Sequence, residues 1–205
     1  MRDTATITRR VALKRIGAVS SLPALAALGG CAEFDPGYPP SAMPRFAPVQ
    51  WPEGRERTAL VLGSGGRRGF AHIGVLKVLE AAGIEPALVV GSSAGAIAGA
   101  LYASKIAATE IERRALDLGL TDIADPALMQ PNRLIGRALQ NFVNTAVNDR
   151  VIEQLPRRFC AVAAVLGKPE LVAFTSGNTG AAVRASAALP SMFLPTPIGS
   201  VTYED

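Results

Sequence analysis

The sequence predicts an α/β fold of three layers, a sheet between helices, with its functional end at the carboxyl ends of the strands. Two strand–turn–helix units and the alternation that follows them carry this expectation. In the first unit the apolar run Ala59-Leu60-Val61-Leu62 enters the glycine-rich turn Gly63-Ser64-Gly65-Gly66-Arg67-Arg68-Gly69. A helical segment from Phe70 to Ala82 follows and is closed by Gly83. In the second, Ala87-Leu88-Val89-Val90 leads into Gly91-Ser92-Ser93-Ala94-Gly95 and then into the small residues Ala96 to Ala100.

The rest of the chain continues the alternation. Thr109-Glu110-Ile111-Glu112 reads as a capping box opening a helix to about Leu118. Asn132 to Val147 reads as a second helix, apolar at Leu134, Ile135, Ala138, Leu139, Phe142 and Val143, its apolar face assigned to core packing. Strands over Phe159–Leu166 and Leu171–Thr175 flank Gly167-Lys168-Pro169, a hairpin-like turn. A helix over Thr179–Ala188 comes next.

Gly91 to Gly95 has the G-x-S-x-G form, and a strand before it with a helix after it is the setting of a nucleophile elbow. Such a turn exposes the Ser93 hydroxyl, while the N–H groups and dipole of the next helix face the oxygen that becomes anionic. A plain Gly/Ser loop is the alternative. The glycine-rich turn presents backbone N–H groups at a helix start, an anion site for which three uses exist. A phosphate-cradling loop requires G-K-[ST], and Arg68-Gly69-Phe70 stands there instead. A dinucleotide fingerprint counted from Gly63 requires glycine at its sixth position, which is Arg68. An oxyanion hole serving Ser93 fits best. The one histidine, His72, precedes Ser93, so the usual chain order Ser, acid, His is excluded, and a carboxylate must be the base. His72 itself reads as a packed or hydrogen-bonded structural residue.

Three blocks in order resemble the patatin-like phospholipases, lipid acyl hydrolases with a Ser-Asp dyad. Gly65 to Leu76 (GGRRGFAHIGVL) is similar to the family's G-G-x-R-G-x-x-H-x-G-V-L segment, Gly91 to Gly95 to its G-[ST]-S-A-G elbow, and Ala182 to Pro190 (AVRASAALP) to its A-V-R-A-S-x-x-[IL]-P helix. The resemblance spans about Thr58 to the end. It implies a patatin-like sheet, Ser93 as nucleophile, an oxyanion hole from the N–H groups of Gly65, Gly66 and Arg67, and Arg68 as support of that loop. The family's base is the Asp of a D-G-[GA] motif, and Asp205 stands in its place. Since the family's chain continues past that point, the resemblance leads to the expectation of a truncated sequence, a domain over 58–205 whose C-terminal part is missing. Two further departures are Ser64, where many members carry glycine, and Ala163-Ala164, where Thr-Asp is frequent. The implied reaction is hydrolysis of a lipid or other acyl ester without metal or organic cofactor. Acyl transfer is a weaker variant, and a catalytically silent, membrane-anchored lipid-binding or scaffold lipoprotein is the rival.

The N-terminus gives an address. Arg2, Arg9, Arg10, Lys14 and Arg15 precede the apolar stretch Ile16–Leu28, too short for a spanning helix, and together they read as an export signal over residues 1–30. Thr8 to Lys14 (TRRVALK) resembles a twin-arginine signal, and Leu28-Gly29-Gly30-Cys31 resembles a bacterial lipobox. Cys31 is then the lipidated first residue of the mature chain, and Ala32 after it favours the outer over the inner membrane of the cell envelope. Pro36, Pro39, Pro40, Pro44, Pro48 and Pro52 make residues 31–57 a semi-rigid tether. Of the +4 formal charge, the first thirty residues supply five basic groups against one acidic. The remainder is balanced, which leaves no argument for a nucleic-acid partner. Cys160 is the other cysteine, so no disulfide is expected within the mature chain.

Overall fold

A computed structural model describes residues 42–48, 58–128 and 130–205. The export signal over 1–30, Cys31 and most of the tether lie outside the described residues.

The central strands are short apolar runs, as the sequence predicts. Strands β1 (Ala59–Leu62), β2 (Leu88–Ser92) and β5 (Arg158–Val165) are parallel neighbours in that order. Helix α1 (Phe70–Ala81) connects the first pair. Helix α2 (Ala94–Ala103) follows β2 and packs on β1, β2 and β5. Its small residues suit this placement, because Gly95, Ala96, Ala98, Gly99 and Ala100 are all buried and let the helix lie close to the sheet. Along β2 and β5 one face carries Val89, Phe159, Ala161, Ala163 and Val165, all buried, while Val90, Val162 and Ala164 on the other face are half-buried. A fully buried side chain of the size of Phe159 or Val89 contributes roughly 1.5–3 kcal/mol.

Strand β6 (Leu171–Phe174) returns antiparallel to β5 through the turn at Gly167, whose φ is +73°. Helix α6 (Thr179–Ser186) packs against β5 and α2, its first turn capped by the Asn178 side chain, which accepts the Ala181 N–H at 2.8 Å. Strands β7 (Thr196–Ile198) and β8 (Val201–Glu204) form a hairpin that completes the six-stranded sheet.

The register of β8 decides where Asp205 goes. Ala161 pairs with Gly91 of β2 and with Phe174 of β6, so these strands occupy opposite edges of β5. Ala164 pairs with Leu171 of β6 and with Glu204 of β8, which places β8 on the β2 edge, beyond the end of β2. β2 runs parallel to β5 and stops at Ser92 opposite Val162; β8 runs the other way and stops at Glu204 opposite Ala164. Their next residues, Ser93 and Asp205, therefore converge opposite Ala163.

Two helix starts differ from the sequence reading. Helix α3 (Ala108–Asp117) begins without the capping box: its N-cap is Ala107, and the Ala108 N–H donates to the Glu80 carboxylate of α1 at 3.0 Å and 3.2 Å. A long-range carboxylate has taken the place of a local one. A single-turn helix, α4 (Leu120–Ile123), and a hairpin of β3 (Pro126–Ala127) with β4 (Gln130–Leu134) follow. The expected helix from Asn132 thus starts later, as α5 (Arg137–Ala146). Gly136, at φ +84°, breaks the strand, and Asp125 accepts the N–H groups of Gly136 and Ala138 at 2.8 Å and 2.9 Å, capping α5 from outside the helix.

Part of the proline-rich stretch joins the fold. Ala42–Pro48 lies along the segment after β6: Arg45 N–H donates to Ser176 O at 3.0 Å, Thr175 N–H donates back to Arg45 O at 3.0 Å, and Asn178 N–H donates to Ala42 O at 2.7 Å. The segment 42–48 of the predicted tether is thus held against the domain.

Candidate active site

The elbow forms between β2 and α2. Ser93 has φ +54° and ψ −122°, a backbone that a residue with a Cβ adopts only when its surroundings impose it. Its N–H donates at 3.0 Å to the hydroxyl of Ser186, and that hydroxyl donates at 2.5 Å to the carbonyl of Val162. Ser186 is fully buried at the end of α6, so one side chain ties the elbow, α6 and β5 together.

The glycine-rich turn lies directly against this elbow. A Cβ on Gly95 would run into the Leu62 carbonyl and stand 2.6 Å from that of Gly63, and one on Gly69 would stand 2.6 Å from the Ala94 Cβ. Only hydrogens fit between the two turns. Gly66–Gly69 forms one turn of 3-10 helix, closed by Arg68 N–H on Gly65 O at 2.9 Å. In such a turn the first N–H groups, those of Gly66 and Arg67, have no acceptor within the helix. His72 donates from Nε2 to the Gly63 carbonyl at 2.8 Å, which pins the start of the loop to α1 and gives the histidine the structural place expected for it.

Asp205 follows β8, and its N–H donates to Ala188 O at 3.2 Å. The Ser93 hydroxyl donates to its Oδ2, and the Ser64 hydroxyl donates to Oδ1 at 3.2 Å. Ser64 also lies 3.1 Å from the Ser92 hydroxyl. The structure thus brings together Ser93, Asp205 and the loop carrying Gly65, Gly66, Arg67 and Arg68. Ser93 is buried in its turn while the loop from Gly63 to Arg68 is exposed, which leaves the site open on one side. The arrangement holds a serine O–H against a carboxylate beside backbone N–H groups, the parts needed for acyl chemistry.

Sequence reasoning gave no role to Ser186, Ser92 or Ser64. Ser186 lies inside the A-V-R-A-S block, but its partner is 93 residues away, and no local pattern encodes that pairing. The arginine of the same block, Arg184, is buried and donates from Nε to the Ile135 carbonyl at 3.1 Å, anchoring α6 to the start of α5. Among the described residues no group of three or more His, Cys, Asp or Glu side chains is placed to hold a metal ion. None of the described helices is long and apolar enough to cross a membrane.

Comparison with known proteins agrees with this architecture. An NTE family protein of Mycobacterium tuberculosis is 37% identical over 142 residues, covering 68% of this chain and 39% of that protein. The human patatin-like phospholipase domain-containing protein 6 is 36% identical over 143 residues, covering 67% of this chain and 10% of its own length. Among solved structures, VipD from Legionella pneumophila superimposes with a TM-score of 0.63 at 14% identity, over 78% of this chain and 49% of VipD. ExoU, in its complex with SpcU from Pseudomonas aeruginosa, gives a TM-score of 0.51 at 17% identity, over 63% of this chain and 38% of its own. The chain therefore spans well under half the length of these curated relatives. The family model for patatin-like phospholipase matches residues 60–205, and with the elbow and glycine-rich turn in register this chain belongs to the patatin-like phospholipase family.

Proposed function

We propose that this chain carries a lipid acyl hydrolase site in which Ser93 is the nucleophile and Asp205 its base. The hydrogen bond from the Ser93 hydroxyl to Asp205, made from a strained elbow, is the observation that carries this reading. Asp205 takes the hydroxyl proton as Ser93 Oγ bonds to the ester carbonyl carbon. The carbonyl oxygen becomes an oxyanion beside the N–H groups of Gly65, Gly66 and Arg67, while Arg68 braces the loop through its own N–H on Gly65. The ester C–O bond then breaks, and the leaving alcohol receives the proton from Asp205. Water attacks the acyl-serine next, giving one proton to Asp205, which returns it to Ser93 as the acid departs. No cofactor takes part in these steps.

The substrate we propose is a phospholipid or similar lipid ester, in keeping with the family. From the lipobox reading we also propose that the chain is tethered through acylated Cys31 to the bacterial outer membrane, facing the periplasm. The test is turnover of a p-nitrophenyl ester and of phosphatidylcholine vesicles by the full chain. Parent activity that disappears in Ser93→Ala supports the site. Activity equal in parent and Ser93→Ala, or none in either, overturns it.

A further inference from the structure

Both oxygens of the Asp205 carboxylate are engaged, and only one of them by the nucleophile. Oδ2 receives the Ser93 hydroxyl, while Oδ1 receives the hydroxyl of Ser64, 3.2 Å away on the loop that leaves β1. A serine hydroxyl has one proton to give. With that proton directed at Asp205, the 3.1 Å contact between Ser64 and Ser92 is filled by the Ser92 hydroxyl donating to Ser64. The ends of β1, β2 and β8 are thereby joined by a hydroxyl chain running from Ser92 to Ser64 to Asp205 Oδ1.

Resting on the reading of Asp205 as base, we propose that Ser64, supported by Ser92, is a positioning residue that sets the plane of the Asp205 carboxylate so that Oδ2 faces Ser93. The need for such a residue follows from the side chain. The terminal torsion of an aspartate is broad, so a single contact at Oδ2 leaves the carboxylate free to swing. The main-chain bond from Asp205 N–H to Ala188 O fixes the backbone of the residue but not this torsion. A second donor on Oδ1 does fix it, and it comes from the same loop that supplies the oxyanion N–H groups. Base and oxyanion hole are then placed by one segment, so a shift of the loop moves both together. Ser64 occupies a position where a glycine could give the loop its course but could not donate to Oδ1.

The inference is tested by steady-state kinetics of the full chain on a soluble p-nitrophenyl ester. The variants are Ser64→Ala, Ser64→Thr and Ser92→Ala, each checked for a parent-like melting transition. A residue that acts only through the base changes turnover and not ground-state binding, so Ser64→Ala is expected to lower kcat about tenfold with KM unchanged within about twofold. Ser64→Thr keeps the hydroxyl and is expected to return kcat to within about threefold of the parent. Ser92→Ala is expected to cause a smaller fall in kcat in the same direction. Unchanged kcat in Ser64→Ala overturns the inference, as does an equal loss in Ser64→Ala and Ser64→Thr, which would mark a loop-packing role. In both cases an active parent and an inactive Ser93→Ala leave the proposed hydrolase site standing. A parent without turnover overturns both.

Discussion

Replacing Ser186 with alanine removes a side chain that joins the elbow to α6 and to β5, and its cost can be worked out from the two bonds it makes. The Ser93 N–H, buried in its turn, loses the acceptor at 3.0 Å, and an unsatisfied buried amide costs about 1–3 kcal/mol. The Val162 carbonyl loses the donor at 2.5 Å, the smaller of the two losses, because an under-satisfied carbonyl is tolerated better than an orphaned N–H. The expected loss is therefore about 2–3 kcal/mol, well above a typical surface substitution. With a urea m-value of about 2 kcal/mol/M, the unfolding midpoint should fall by roughly 1–1.5 M. Function should suffer beyond stability, because the strained Ser93 backbone, itself costing about 1–3 kcal/mol, has lost the bond that holds its N–H. Urea unfolding followed by circular dichroism, with the rate of fluorophosphonate labelling measured in the folded range, reads both effects. A midpoint within about 0.25 M of the parent together with an unchanged labelling rate would refute the reasoning.

Other outcomes follow from the same packing. Gly95→Ala should gain up to about 1 kcal/mol of helix propensity and lose more, since its Cβ meets the backbone carbonyls of Leu62 and Gly63, and overpacking costs about 1–3 kcal/mol or more. Turnover should fall at least about a hundredfold as the glycine-rich loop is pushed from the elbow, a loss checked by ester kinetics on folded protein. Burial pushes the Cys160 thiol up to about 11, so it should stay unlabelled by maleimide at pH 8 in the native chain and react once urea unfolds it. Cys31→Ser should move the expressed chain from the membrane pellet to the soluble fraction on cell fractionation, whereas an unchanged distribution would contradict acyl anchoring.

The parts of the fold that could be read in advance are those whose cause is local. Strand β1, the elbow, the hairpin turn at Gly167 and helix α6 each follow from a short apolar run beside glycine or a capping residue, and the structure places them as expected. The misread helix starts have distant causes. Glu80 reaches 28 residues along the chain to cap α3, and Asp125 caps α5 across the hairpin that displaced its expected first turn. The site divides in the same way. Ser93 and the glycine-rich turn were legible because strand–turn–helix spacing encodes them. Asp205 was placed through the family resemblance, and what sets it beside Ser93 is the register of β8 on β5, a property of strand pairing that a linear pattern does not contain. Ser186, Ser92 and Ser64 were missed for a related reason: a serine among small residues has no signature until the fold supplies its partner.

The measurement that bears most directly on the site is intact-mass analysis of the full chain after treatment with a fluorophosphonate, followed by peptide mapping, for the parent and for Asp205→Asn. A Ser93–Asp205 dyad predicts a single adduct on Ser93 in the parent, formed at least about a hundredfold more slowly when the carboxylate is replaced by an amide that cannot take the proton. An adduct on another residue, no adduct on the folded parent, or equal rates in the two proteins would contradict it.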